Sequence, residues 1–287
     1  MPGPPPPLDL IVVGGLTVDR FADGTSTPGG SVLHATRALA GRAALGAITV
    51  AGPEPEADDG RRILERATTR ATCQPADASI TYRHSETAAG RRLWLERAGG
   101  RISLDADAAQ RWTAAAILLA PVARELDSSA LAGWPTGPLR AAILQGWLRS
   151  ADEGGEVRPR RLDELERDLA EGIAALDVLV ASREDLRAEA GDPWRQLAAL
   201  RSAVGPRPLL IVTDGAGGAW IDDHGGTRHL AVPYRVDGVP TVGAGDVFAA
   251  ALAAGGRVGD LRSAHSVDRR VAGAMRTVAD MLAARRR

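Results

Sequence analysis

The chain is 287 residues long, balances 35 basic against 36 acidic residues for a formal net charge of −1, and is 45% apolar. That length holds one large α/β domain or two small ones, and the balanced charge offers no nucleic-acid or membrane surface. Every basic residue is arginine, because the sequence has no lysine and no asparagine; a lysine-based phosphate loop, a protein-kinase strand lysine and Schiff-base chemistry are all excluded. Phosphate can then be handled only by backbone amides, arginine or metal. The one cysteine, Cys73, forms no internal disulfide, the N-terminus has no signal-peptide pattern, and no apolar run approaches the ~20 residues of a membrane span, so a cytoplasmic protein is expected.

In chain order, Met1 to Pro7 form a proline-rich tail expected to be extended and disordered, and residues 8–287 are expected to form a single domain. Leu8 to Val13 is an apolar run ending at Gly14-Gly15, the pattern of a buried parallel strand leaving the sheet through a glycine turn. Gly29 and Gly30 precede a helix from Ser31 to Gly41. Further buried strands are expected at Ile48 to Ala51, Ala115 to Ala120, Ala141 to Gln145, Val178 to Ala181 and Leu209 to Thr213. Apolar spacings of three and four predict helices over Asp58 to Thr69, Leu162 to Leu176 and Trp194 to Val204. This alternation implies a mostly parallel sheet covered on both faces. Two hairpins interrupt it. One joins Ser79 to Glu86 with Arg91 to Ala98 through Thr87 to Gly90, and reads as a projecting flap; the other joins Gly218 to Asp223 with Thr227 to Tyr234 through His224-Gly225-Gly226.

The segment Gly243-Ala244-Gly245-Asp246 ends a loop and opens a helix over Asp246 to Ala253. Small residues at a helix start leave backbone N–H groups unpaired in the positive field of the helix dipole, which makes an anion site without a side-chain cation. An aspartate in that first turn is either an ordinary helix cap or a base placed beside the anion. The order of the surrounding motifs bears on the choice. Gly14-Gly15-Leu16-Thr17-Val18-Asp19, the Gly29-Gly30 pair, the hairpin with Gly90-Arg91-Arg92, Thr213-Asp214-Gly215-Ala216-Gly217-Gly218 and Gly243-Ala244-Gly245-Asp246 together resemble, over nearly the whole chain, the ribokinase (PfkB) family of carbohydrate kinases.

The resemblance implies a three-layer α/β/α ribokinase-like sandwich with a central mostly parallel sheet and a small β lid, its lid segments near residues 16–28 and 79–98. It implies ATP-dependent phosphoryl transfer to a hydroxyl of a sugar or cyclic polyol, with Mg²⁺ on the nucleotide. By the same resemblance Asp246 accepts the hydroxyl proton, the amides of Gly243, Ala244 and Gly245 stabilise the moving phosphoryl group, and Asp19 anchors substrate. Gly29, Gly30 and His34 line the substrate pocket, and Thr213, Gly215 and Gly218 approach the nucleotide phosphates. A homodimer through the lid belongs to the same expectation. Ser182-Arg183-Glu184-Asp185 stands where the family has a polar-x-x-acid element that organises the metal, with Asp185 as the acid; a serine cap on an acidic first turn explains the same residues. Gln145-Gly146-Trp147-Leu148-Arg149 follows a strand at the end where α/β sheets bind ligands, so Gln145 or Arg149 contacts substrate, or the stretch is a buried polar turn.

Three departures from the family pattern stand out. Pro240 replaces an acidic residue six positions before Asp246, so potassium activation is not implied. His34 replaces an asparagine, and residues 255–287 lack the familiar alanine-rich, asparagine-containing helix. Pro240, the divergent C-terminal part and the serine at 182 motivate an alternative, a catalytically weak or inactive member of the fold that binds a sugar or nucleotide as a sensor. The five histidines show no helical metal pair, and the tryptophans come without the basic stripe that nucleic-acid stacking would need.

Overall fold

A computed structural model describes residues 7–87, 90–104, 112–127, 137–189, 191–223 and 225–286. The expected tail, the tip of the first hairpin at residues 88–89 and His224 in the second turn lie outside the described residues.

The apolar run Leu8–Val13 forms strand β1, which alternates its side chains between two cores. Leu10 and Val12 enter one cluster, while Ile11 and Val13 enter the other. A strand buried on both faces needs this unbroken apolar sequence, because every second residue points to the opposite layer. Parallel to β1 lie β4 (Leu45–Ala51) on one side and β8 (Ala114–Leu119) on the other. β5 (Arg70–Pro75) extends the first edge; β9 (Leu139–Ile143), β12 (Val178–Ser182) and β13 (Leu209–Thr213) extend the second, all parallel. The antiparallel hairpin of β14 (Ala219–Asp223) and β15 (Gly226–Leu230) completes nine strands.

One face of this sheet is covered by α1 (Ser31–Leu39), α2 (Pro55–Ala67), α5 (Ala244–Ala253) and α6 (Ala264–Arg285), the other by α3 (Arg167–Ala174) and α4 (Pro193–Val204). The result is the expected three-layer α/β/α sandwich. A separate four-stranded sheet is made of β3 (Ser26–Gly29), β2 (Thr17–Arg20), β6 (Ile80–Thr87) and β7 (Gly90–Arg97) in that order. A third, two-stranded ribbon pairs β10 (Arg149–Ala151) with β11 (Val157–Pro159).

The structure departs from the sequence reading in places that share a cause. The helix expected over Leu162 to Leu176 is split into a short 3₁₀ turn, Leu162–Glu164, and the later α3. The split follows local hydrogen bonding: the Glu164 carboxylate accepts the Arg161 N–H, and Leu162 N–H is drawn to Glu189. β2 and β3 were expected only as part of a lid segment; they pair antiparallel with each other, and the parallel pairing of β2 with β6, across some sixty residues of sequence, is a tertiary contact. Residues 264–285, to which no helix was assigned, form the long α6.

A single buried carboxylate holds the mouth of the sheet in place. Glu125 is 2% exposed and accepts N–H bonds from Gly15 at 2.7 Å, from Val122 at 3.0 Å and from Ala123 at 2.8 Å. Burial pushes its carboxyl above the ordinary range, and the backbone donors oppose that rise. The turn after β1 and the turn after β8 are thereby tied together, and Tyr82 adds β6 by donating to Val122 O at 2.5 Å. Glu125→Ala leaves three buried N–H groups without an acceptor, at about 1–3 kcal/mol for each group that water cannot reach. Urea unfolding should show a loss of roughly 3 kcal/mol or more relative to wild type, well beyond an ordinary surface substitution.

Candidate active site

The carboxyl ends of β1, β8, β9, β12 and β13 open on the same edge of the sheet, and the strand order reverses direction about β1, so a crevice forms there. The turns that line it carry most of the residues singled out in the sequence. α5 supplies the remaining group from below, packed against α1 and α6.

Gly243 caps α5 in the left-handed region with φ 79°, a conformation for which glycine carries no steric penalty. A side chain there would also strike His34, whose Cγ lies 2.6 Å from the position of a Cβ. The Ala244 N–H closes a turn onto Thr241 O at 3.0 Å, and Val247 N–H begins the helical ladder on Gly243 O. The amides of Gly243, Gly245 and Asp246 have no acceptor among the described residues. The cradle of free N–H groups is therefore displaced from the expected one: Ala244 contributes its small size, not its amide.

Asp246 sits in this first turn and is only 9% exposed. Burial raises its pKa; the charges of His34 and Arg149 and the hydroxyl of Ser31 pull it back, and the nearby Asp185 carboxylate adds to the rise. Ser31 Oγ is buried and makes no hydrogen bond of good geometry, although it faces the Asp246 carboxyl. The start of α1 thus links two parts of the crevice. Ser31 and His34 reach Asp246 and Gly243, while Gly29, two residues earlier, touches Asp19: a Cβ on Gly29 would lie 2.2 Å from Asp19 Oδ2. Gly30 makes the sharp entry possible, with φ 101° and the Gly15 carbonyl 2.3 Å from where its Cβ would be.

Asp19 is buried at the base of the smaller sheet. Thr17 Oγ1 donates to its Oδ1 at 3.0 Å, and His84 Nε2 lies 3.4 Å from the same oxygen. His84 stacks on Phe21 with ring centroids 5.1 Å apart. The pairing with Asp19 escaped the sequence reading, although the even-numbered positions of β6, Ile80, Tyr82 and His84, all turn inward; strand alternation carried the signal.

On the other side of the crevice Asp185 is 4% exposed and fully engaged. Its Oδ2 accepts Ser182 N–H at 3.1 Å and Ser182 Oγ at 2.7 Å, and its Oδ1 accepts Arg149 Nη2 at 2.9 Å. Ser182 and Arg149 thereby fix the orientation of the Asp185 carboxylate at the edge of the crevice. Among the described residues no group of three or more His, Cys, Asp or Glu converges as a metal site. Of the stretch at 145–149, Arg149 reaches the acidic groups. Gln145 is half-buried and makes no side-chain hydrogen bond to them among the described residues, and Trp147 is core, donating to Leu126 O at 2.7 Å.

The turn after β13 is closed by Asp214 N–H to Gly218 O at 2.8 Å and Gly217 N–H to Asp214 O at 2.7 Å. Thr213 Oγ1 reaches back to Ala181 O at 3.4 Å, and the amides of Gly215 and Ala216 have no acceptor among the described residues. Arg183 pairs with Asp214 at 3.3 Å, while its Nε is buried without a hydrogen-bond partner among the described residues. Removing Arg149 should be felt in two ways. Arg149→Ala leaves Asp185 buried without its cation, a loss of about 2 kcal/mol for a charged hydrogen bond in urea unfolding. It also removes a positive charge that lowers the Asp246 pKa, so any pH profile governed by Asp246 shifts to higher pH.

No curated protein sequence matches the chain significantly. Solved structures match its fold. A structure described as a pyrophosphate-dependent kinase in the ribokinase family, complexed with a pyrophosphate analog and myo-inositol, aligns with TM-score 0.74 at 14% identity, covering 96% of this chain and 95% of that one. The ribokinase of Thermotoga maritima aligns with TM-score 0.66 at 16% identity over 96% and 93%. An Arabidopsis thaliana ribokinase complexed with ribose and ATP aligns with TM-score 0.68 at 14% identity over 96% and 93%. Identities this low speak to the fold alone, which is the ribokinase-like one. Among family models, that of the pfkB family carbohydrate kinases matches residues 101–259. That span covers more than half of the chain and contains Arg149, Asp185, the turn after β13 and Asp246, and the chain belongs to the pfkB family of carbohydrate kinases.

Proposed function

We propose that the protein transfers the γ-phosphoryl group of ATP to a hydroxyl of a sugar or cyclic polyol. The observation that carries this reading is Asp246, a carboxylate buried in the first turn of α5 beside the open amides of Gly243 and Gly245. Phosphoryl transfer asks the protein for positioning and charge stabilisation more than for covalent chemistry. In this reading the acceptor hydroxyl is held by Asp19 and faces Asp246, which takes its proton as the bond to phosphorus forms. The open amides meet the equatorial oxygens of the moving group, aided by the dipole of α5. The turn at 213–218 receives the remaining phosphates through Gly215 and Ala216, with the Arg183 guanidinium beside it. The smaller sheet, joined to the crevice through Tyr82 and Asp19, serves as the lid that excludes water. Mg²⁺ enters as part of the substrate and neutralises donor charge; such an ion keeps several waters and needs few protein ligands.

Inorganic pyrophosphate is the second donor to consider, because three structural neighbours are described as pyrophosphate-dependent and Arg183 supplies a cation that needs no nucleotide to engage it. The test is turnover with Mg-ATP or Mg-pyrophosphate against pentoses, hexoses and inositols. Asp246→Asn should lower kcat by roughly 10²–10⁴ with little change in acceptor KM, as expected for a lost general base. Full-rate turnover in that variant removes Asp246 from the role. If no acceptor stimulates turnover while ATP still raises thermal stability, the protein is a binder and not a kinase.

The direction of the Asp246 shift gives an independent prediction. The base works ionised, so the acid limb of kcat should lie above the ordinary aspartate range. The native state holds this proton more tightly than the unfolded chain does, so ionisation costs stability as pH rises through the raised pKa. Asp246→Asn should therefore melt at a higher temperature than wild type at pH 8, with the difference shrinking as pH is lowered.

A further inference from the structure

The loop that leads into α5 and the end of α6 are more than forty residues apart in sequence, yet one side chain joins them. Arg285 Nη1 donates to Pro240 O at 2.7 Å and to Val242 O at 3.0 Å. A second tie holds the same segment to the same helix, from the Tyr234 hydroxyl to Asp280 Oδ1. Two main-chain oxygens converging on one positive centre is how peptide carbonyls coordinate a hard cation. Here the cation is part of the chain, and a guanidinium stays charged at any working pH.

The geometry of the peptide group turns this tie into a statement about the crevice. In a planar trans peptide the N–H points opposite to the C=O. Holding the Val242 carbonyl on Arg285 directs the Gly243 N–H to the other side, away from α6; holding the Pro240 carbonyl does the same for Thr241 N–H. Gly243 N–H is one of the three amides left without an acceptor at the start of α5. A carbonyl that accepts a charged hydrogen bond also polarises its own amide into a stronger donor. Arg285 thus acts on the anion cradle from behind while touching neither Asp246 nor the space beside it. Arg37, from the last turn of α1, lies close enough for its charge to act on the guanidinium, so positive potential accumulates on this side of the loop.

We infer that Arg285 is a positioning residue for the amide cradle, and that its guanidinium fills the place between the Pro240 and Val242 carbonyls that a monovalent metal ion would otherwise fill. Phosphoryl transfer then proceeds without added potassium or sodium. The catalytic half of this inference rests on the kinase reading above; the ordering of the loop does not.

Two measurements separate them. Hydrogen exchange at the Ala244 amide, which bonds Thr241 O across the tethered loop, should accelerate roughly tenfold in Arg285→Ala and much less in Arg285→Lys, which keeps a cation. In turnover, wild type should run at the same rate in tetramethylammonium and potassium buffers. Arg285→Ala should lose roughly tenfold in kcat at unchanged acceptor KM, and potassium or free guanidinium should restore part of the loss. Unchanged Ala244 exchange together with unchanged kcat in Arg285→Ala overturns the inference, and so does a wild-type rate that requires potassium. Should wild type turn over no acceptor at all, the kinase reading fails while the exchange measurement still decides the role of Arg285.

Discussion

The architecture of the crevice follows from placing one carboxylate, Asp246, at the positive end of a helix and then removing most of its water. A buried aspartate is costly unless charge or hydrogen bonds compensate it. The compensation comes from three elements: Ser31 and His34 on α1, Arg149 beyond β9, and the dipole of α5 itself. It is incomplete, since burial still wins and the pKa lies above the ordinary aspartate range. A group balanced in that way is held in a state that takes up a proton more readily than a solvated carboxylate, which suits a base and burdens stability.

In the proposed reaction the absence of lysine leaves the anions to the backbone. With no flexible ammonium group to reach a phosphate, the chain turns peptide N–H groups outward at two places, the start of α5 and the turn at 213–218, and spends arginines on holding those places in shape. Arg183 braces Asp214, Arg149 braces Asp185, and Arg285 braces Pro240 and Val242. The fork of a guanidinium suits this work, since one group can bind two acceptors at fixed angles. Glu125 plays the converse part, an anion that gathers three amides and so fixes the turns after β1 and β8.

Much of the layout was legible in the sequence because it depends on periodicity and on residue types with few alternative uses. Uninterrupted apolar runs announce strands buried on both faces, and Leu209–Thr213 matches its expected bounds. Gly-rich turns after such strands announce where backbone must bend sharply. The helix split between Leu162–Glu164 and Arg167–Ala174 was hidden because apolar spacing cannot register the competing bonds of Glu164 and Glu189. Asp185 was legible as an acid in a first turn, but not as an acid bonded by both Ser182 and Arg149.

By itself the sequence determined the layer order and pointed to an amide-based treatment of anions, since these follow from local pattern and from composition, while the candidate roles of Asp19 and Asp246 came from the resemblance of the motifs to the family. Only the tertiary structure decided which groups share a field. His84 meets Asp19, Ser31 meets Asp246, and Arg285 meets the loop before α5. The Ala244 amide, counted as open from its place at a helix start, is used within its own turn. The reason is physical: a hydrogen bond or an ion pair across forty or more residues depends on how layers pack, and spacing along the chain carries no record of that distance.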